Sequence, residues 1–140
     1  MRRAIALARG NPSEPFGCVI VDRESGQVIV QGLNRVHEGP LWHGETEAIR
    51  ILSESKWHGD PANLVLYTTA EPCPMCSGAI AWAGIGEIVY GTSSPTLGRL
   101  GWRQFDLRTE EIYTRAGWVK CKITGGVCEE ECDALFVQRD

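Results

Sequence analysis

Leu64-Val65-Leu66-Tyr67-Thr68-Thr69-Ala70-Glu71-Pro72-Cys73-Pro74-Met75-Cys76-Ser77-Gly78-Ala79-Ile80-Ala81 is the stretch whose reading decides the fold. Leu64 to Thr68 is a short apolar strand. Pro72 then opens a helix through Ala81, since proline is tolerated in a helix's first turn. Glu87 to Gly91 reads as the next strand.

Working outward toward the start, residues 1–9 read as a helix ended by Gly10-Asn11-Pro12. Phe16 to Val21 is an apolar strand, Asp22-Arg23-Glu24-Ser25-Gly26 a turn, and Gln27 to Leu33 the return strand of a hairpin. A loop runs through Asn34 and the Gly39-Pro40 break. From His43 the spacing turns helical. Ala48, Ile49 and Leu52 mark one face and Glu47, Arg50 and Glu54 lie mostly opposite, up to Gly59-Asp60-Pro61. Toward the end, Thr109 to Arg115 reads as a short helix, Trp118 to Thr124 as the last strand, and Cys128 to Gln138 as a closing helix. The connection from Gly91 to Trp118 is far longer than a hairpin needs, which predicts that the last two strands are parallel. Strands alternating with helices imply one covered sheet. The expected fold is an α/β, three-layer α/β/α sandwich around a five-stranded mixed sheet, with residues 1–140 forming one domain.

Composition narrows the function. Formal charge is 14 minus 18, or -4, which tilts against nucleic-acid binding because phosphate contacts need basic side chains. No apolar run approaches a membrane span. Met1 to Gly10 lacks the long apolar region of a secretory leader, and Arg9 interrupts it, so a cytoplasmic chain is expected. In that setting the six cysteines point to metal binding or burial rather than disulfides.

Two segments carry chemistry, His43-Gly44-Glu45 and Pro72-Cys73-Pro74-Met75-Cys76. Each sits at a predicted helix start. Cys73 and Cys76, three apart, share one helix face. Free N–H groups and the macrodipole favour thiolates there, and thiolates are the metal-binding form. Two sulfurs and an imidazole from His43 suit zinc. Three protein ligands leave one coordination position open, as catalytic zinc sites do. Glu45 points away from His43 on a regular helix, so it reads as a proton-transferring acid/base beside the metal rather than a ligand. The other readings of C-x-x-C are a buried pair, a redox motif, or half of a structural zinc site. The last needs a fourth ligand, for which His37, His58, Cys128 and Cys132 are available.

Together, His43-x-Glu45 and Pro72-Cys73-x-x-Cys76 resemble the cytidine deaminase-like zinc deaminases. The resemblance extends from Phe16-Gly17 to Glu131-Cys132. Glu71 to Ile80, and the ending Ile123-Thr124-Gly125-Gly126-Val127 with Glu130-Glu131-Cys132, look like the branch of guanine deaminases and tRNA adenosine deaminases. Most of that branch has alanine where Gly44 sits. His43-Gly44-Glu45 and Leu66-Tyr67-Thr68-Thr69 resemble fungal cytosine deaminases instead.

The resemblance implies one zinc per chain and hydrolytic loss of ammonia from an amino-heterocycle, with Glu45 carrying protons. It also implies that Asn34 hydrogen-bonds the base, the alternative being a turn residue at a strand end. Glu71 either orients the cysteine loop or is an ordinary loop carboxylate. A flat ring needs an apolar clamp, for which Phe16, Trp42, Trp82, Trp102 and Phe105 are candidates. Trp42 adjoins His43, and Trp102 follows the fourth strand, where related deaminases build specificity. Ser93 and Ser94 are expected near the base edge. Acidic charge, with no basic run at Gln138-Arg139-Asp140, favours a free nucleobase or nucleoside, and resemblance favours guanine. Adenosine in tRNA and free cytosine are the alternatives, and a non-catalytic copy of the fold is the last. Relatives form dimers or tetramers with the metal-binding helices at the interface, which implies a homodimer here, where Ile80, Trp82 and Ile85 would make contact unless they face their own sheet.

Overall fold

A computed structural model describes residues 1–137. In chain order the elements are α1 (Arg2–Arg9), β1 (Gly17–Asp22), β2 (Val28–Leu33), α2 (Gly44–Glu54), a 3₁₀ turn at Pro61–Asn63, β3 (Leu64–Ala70), α3 (Pro74–Ala83), β4 (Glu87–Thr92), α4 (Ser94–Arg99), α5 (Thr109–Arg115), β5 (Lys122–Thr124) and α6 (Glu129–Phe136). The five strands lie in the order β2-β1-β3-β4-β5. β1 runs antiparallel to both neighbours, with Cys18 opposite Gly32 and Thr68. β3, β4 and β5 are mutually parallel. The sheet is mixed, and the long connection into β5 is a parallel crossover, as its length requires.

Strand periodicity builds the two faces. Cys18, Ile20, Leu64, Leu66, Ile88 and Tyr90 pack in one core with Ala48 of α2 and Ile80 of α3. The alternate residues Val19, Val65 and Val89 are also buried, as are Ala4, Ile5 and Ala8 of α1, which packs on β1 and β3. α6 packs on β4 beside α1 and α4, while α2 packs on β1 and β2 with α3 and α5 beyond it. Each fully buried leucine or isoleucine contributes about 1.5–3 kcal/mol relative to exposure. The result is a helix–sheet–helix sandwich.

Several boundaries differ from the sequence expectation. β5 has three residues, because pairing begins where Lys122 meets Glu87, the first residue of β4. The residues before it turn instead: the Val119 N–H donates to the Ala116 carbonyl, and the exposed Trp118 ring lies 4.7 Å from that of Trp82. α3 starts at Pro74 with Cys73 as its N-cap, so Pro74 rather than Pro72 is the opening proline. α4 is a second helix inside the connection from β4 to β5, for which the sequence predicts only Thr109 to Arg115. Glu47, expected on the polar face of α2, is 3% exposed, because Arg35 and Arg50 both pair with it. Ile80 and Ile85 sit in their own chain's core rather than facing out. α6 is described to Phe136, and Gln138, the expected end of that helix, lies outside the described residues.

Candidate active site

Antiparallel pairing of β1 with β2 and β3 brings four strand ends to one edge of the sheet. Phe16 precedes β1, Asn34 follows β2, Glu71 follows β3 and Ser93 follows β4. In open α/β sheets this carboxyl-end edge is where ligands bind. A cavity of about 860 Å³ opens there, lined among others by Phe16, Asn34, His43, Glu45, Cys73 and Trp102.

Two helix starts deliver the polar centre. His43 is the N-cap of α2 and Cys73 the N-cap of α3, each with extended backbone. α2 comes this close to the sheet because Gly32 has no side chain: a Cβ there would strike the Gly44 carbonyl. A Cβ on Gly44 would itself meet the Phe16 carbonyl oxygen at 2.8 Å, so an alanine here would be crowded against that backbone. The loop into α3 is pinned by the Ser77 and Thr109 hydroxyls, which donate to the Pro72 carbonyl at 3.2 and 3.0 Å.

His43 Nδ1 lies 3.6 Å from both Cys73 Sγ and Cys76 Sγ, and the three atoms all fall within 4.8 Å of one another. Zinc bonds of about 2.3 Å to sulfur and about 2.05 Å to nitrogen, at a tetrahedral angle, put sulfur and nitrogen roughly 3.6 Å apart. The donor set therefore fits zinc in type and spacing. Without metal the two sulfurs share a proton. Hydrogen bonding from the Cys76 thiol, and then from His43, outweighs burial and pulls the Cys73 pKa from 9.0 to about 4. The Cys76 thiol is pushed well up by that same bond and by burial. His43 is raised, chiefly by its bond to Cys73.

Glu45 stands beside this cluster at 4% exposure. The Thr68 hydroxyl donates to its Oε1 at 2.8 Å, and its Oε2 lies 3.5 Å from Cys76 Sγ. Burial, followed by the Cys73 thiolate, raises its pKa. Glu71 is equally hidden but saturated. It accepts from the Ser94 N–H at 2.8 Å, the Thr109 N–H at 3.0 Å, and Arg108 Nε at 2.8 and 2.9 Å.

The structure brings His43, Glu45, Cys73, Asn34, Phe16, Trp102 and Phe105 together around one cavity, with Cys76 buried beside it as the third member of the metal cluster. Trp42 is a correction. It does not line the cavity, because its ring packs over Gly39 and under the Arg35 guanidinium, 5.5 Å from the centroid, while its neighbour Leu41 turns inward. Trp82 is 81% exposed, away from the site. Ser93 caps α4 through Thr96, and the Ser94 N–H serves Glu71, so neither is placed as a base-edge contact. His37 and His58 are exposed, and Cys128 and Cys132 are not in the metal cluster. Sequence reasoning missed Glu14, Val36, Pro40, Leu41, Met75, Arg103 and Gln104 as lining residues. Their one shared signal is position, within a few residues of Phe16, Asn34, His43, Cys73 or Trp102.

Residues 1–92 match the family described as the cytidine and deoxycytidylate deaminase zinc-binding region. A Schizosaccharomyces pombe protein named "Probable cytosine deaminase" is 41% identical over 71% of this chain and 62% of its own length. The match thus spans about three-fifths of that relative. A tRNA-specific adenosine deaminase of Streptococcus pyogenes serotype M1 is 37% identical over 89% of this chain and 72% of its own. A solved guanine deaminase from Nitrosomonas europaea superposes with a TM-score of 0.82 at 27% identity, covering 96% of this chain and 79% of that one.

Proposed function

The chain belongs to the cytidine and deoxycytidylate deaminase zinc-binding family, and on that premise we propose that it removes ammonia hydrolytically from a free amino-heterocycle, with guanine the first candidate. The observation that carries the reading is the placement of Glu45, buried, held by a single hydroxyl donor, and 3.5 Å from the sulfur of Cys76.

His43, Cys73 and Cys76 would hold the zinc, their three donor atoms lying within 4.8 Å of one another. When bound, the metal supplies Lewis-acid activation of water. The protein's own residues do the rest. The Thr68 hydroxyl fixes Oε1 of Glu45 and leaves Oε2 on the metal side. Glu45 takes a proton from water there and delivers it to the ring nitrogen beside the carbon under attack; it then takes a second proton from the hydroxyl so added and gives it to the departing amine, which leaves as ammonia while the carbonyl forms. In the metal-free protein burial favours its protonated form, and a group that passes protons must hold one during part of the cycle. Phe16 and Trp102, whose rings meet edge-on at 5.2 Å, form an apolar wall for a flat ring. The Asn34 amide addresses the ring edge.

The cavity's charges support a small substrate. Glu14, Glu45 and Glu71 line it against one cation, Arg103, a poor seat for a polyanionic strand. Similarity to the guanine deaminase structure favours a purine. The second reading, adenosine within tRNA, rests on the relative matched over 89% of this chain. Cytosine is the third. Residues 1–140 act as one catalytic domain. Among the described residues no helix is long and apolar enough to cross a membrane. All six cysteines are free thiols, which fits the reducing cytoplasm. The exposed Trp82–Trp118 pair is the apolar surface on which we place a homodimer contact, and Trp82→Glu should convert a dimer to a monomer in light scattering.

Ammonia release by the zinc-loaded chain over guanine, cytosine, adenine, their nucleosides and a tRNA anticodon stem–loop tests the proposal. Release from a free base, guanine foremost, is expected. Release from tRNA alone overturns the substrate ranking, and release from nothing overturns the deaminase reading.

A further inference from the structure

Glu14 lines the same cavity as Glu45 and is half-buried there. Among the described residues its carboxylate has no hydrogen bond and no ion pair, unlike Glu71, which is saturated, and Glu45, which is held by Thr68. Its backbone, by contrast, is fixed. The Glu14 N–H donates to the Asn11 carbonyl at 3.1 Å, and the Glu14 carbonyl accepts from the Phe16 N–H at 2.8 Å and from Asn11 Nδ2 at 3.1 Å.

The Asn11 amide makes a second bond, to the Asn34 carbonyl at 3.0 Å. One side chain thus braces Glu14 and Asn34 against each other. The Asn34 amide is orientationally determined as well. Its Oδ1 accepts from the Val36 N–H at 3.0 Å, a donor that only an oxygen can satisfy. Its NH₂ is left with no protein partner among the described residues, and no described buried side-chain nitrogen or oxygen lacks one, so that NH₂ reaches open space. The cavity therefore offers an acceptor-only carboxylate and a donor amide, cross-braced by Asn11.

We infer that Glu14 is a specificity-determining residue, accepting a hydrogen bond from a substrate N–H while Asn34 donates to the neighbouring carbonyl, so that the site selects rings with a lactam edge. This rests on the proposed deaminase reading and narrows its substrate class. Guanine and cytosine carry a C=O beside or one bond from an N–H. Adenosine, apart from the amine to be removed, presents ring acceptors only, which a carboxylate repels. The Glu14 charge attracts His43 at long range, and among the described residues no hydrogen bond or ion pair accounts for its position.

The test separates binding from turnover. Guanine, cytosine and their 1-methyl derivatives are titrated by calorimetry into the zinc-loaded Glu45→Gln chain, with Glu14 intact and with Glu14→Gln or Glu14→Ala. Hydrogen bonds to charged groups predict about a tenfold or greater loss of affinity for the unmethylated base in both variants. The preference for the unmethylated over the 1-methyl base should collapse in Glu14→Ala. Zinc content and melting temperature should be unchanged, since Glu14 bonds nothing with its side chain. Equal affinity in all three proteins, an undiminished preference in Glu14→Ala, or no binding of either base by the parent overturns the inference. Failure to release ammonia from any substrate would instead sink the deaminase reading and leave the affinity ratios to be judged on their own.

Discussion

Glu45 and Glu71 stand on the walls of one cavity and are hidden alike, at 4% and 3% exposure. Glu71 is met by two backbone N–H groups and a guanidinium, and it ties the cysteine loop to the starts of α4 and α5. Glu45 has one hydroxyl donor and a thiol at 3.5 Å. Burial disfavours an ionised carboxylate, and donors restore it. The number of donors therefore separates a carboxylate that ties segments together from one with an oxygen left facing the metal ligands.

The same contrast should be widest among the cysteines. In chelator-stripped protein, Cys73 should react with iodoacetamide with a midpoint near pH 4, its pKa being lowered to about 4. Cys18, fully buried and raised well above 9.0, should stay unreactive at neutral pH, a difference of several orders of magnitude. Equal labelling at pH 6, read by peptide mass, would break the comparison.

Glu71→Ala should cost about 2–4 kcal/mol in urea unfolding, because two buried N–H groups lose their acceptor. Arg108 is 39% exposed, so its freed charge is solvated and adds little. A loss under roughly 0.5 kcal/mol would show that Glu71 does not hold these segments together.

Glu45→Gln should do the reverse in metal-free protein. The folded pKa of Glu45 is raised, so between the unfolded value and that raised value only the folded state holds the proton. Stability is then present in full below the unfolded pKa, about 4.5, and is lost as pH rises through the folded value. Glu45→Gln should remove that loss, so its urea midpoint should exceed the parent's increasingly as pH rises. An advantage that shrinks with pH would contradict the assignment.

The smallest effect is expected from Thr68→Val, near-isosteric and lacking the hydroxyl that serves Glu45. It should cost about 1 kcal/mol and move the acid limb of the pH–rate profile upward, because a carboxylate with one donor fewer holds its proton more tightly. An acid limb that stays put or moves down would show that this hydroxyl does not tune Glu45.

Legibility in the sequence followed the range of the interactions. α5 reads correctly from Thr109 to Arg115 because its signals are local, and the metal trio reads from spacing because each ligand sits at a helix start. β5 was overextended, since its length depends on where β4 begins and on the Trp82–Trp118 contact, neither visible locally. α4 was hidden by Ser94-Pro95 and Gly98, although Ser93 before Pro95 was a usable cap signal. Trp42 was misplaced because adjacency to His43 says nothing of direction, and Arg35, seven positions earlier, captures its ring. Glu14 escaped notice because its role lies in an absent partner, which only the folded chain shows.

The most direct test is turnover by zinc-loaded Glu45→Gln on whichever base the parent deaminates, with zinc content and melting temperature measured on the same sample. One zinc per chain, an intact fold and a fall of about 10²–10⁴-fold in kcat are expected if Glu45 carries the proton. Near-native turnover in a fully loaded Glu45→Gln protein would contradict it.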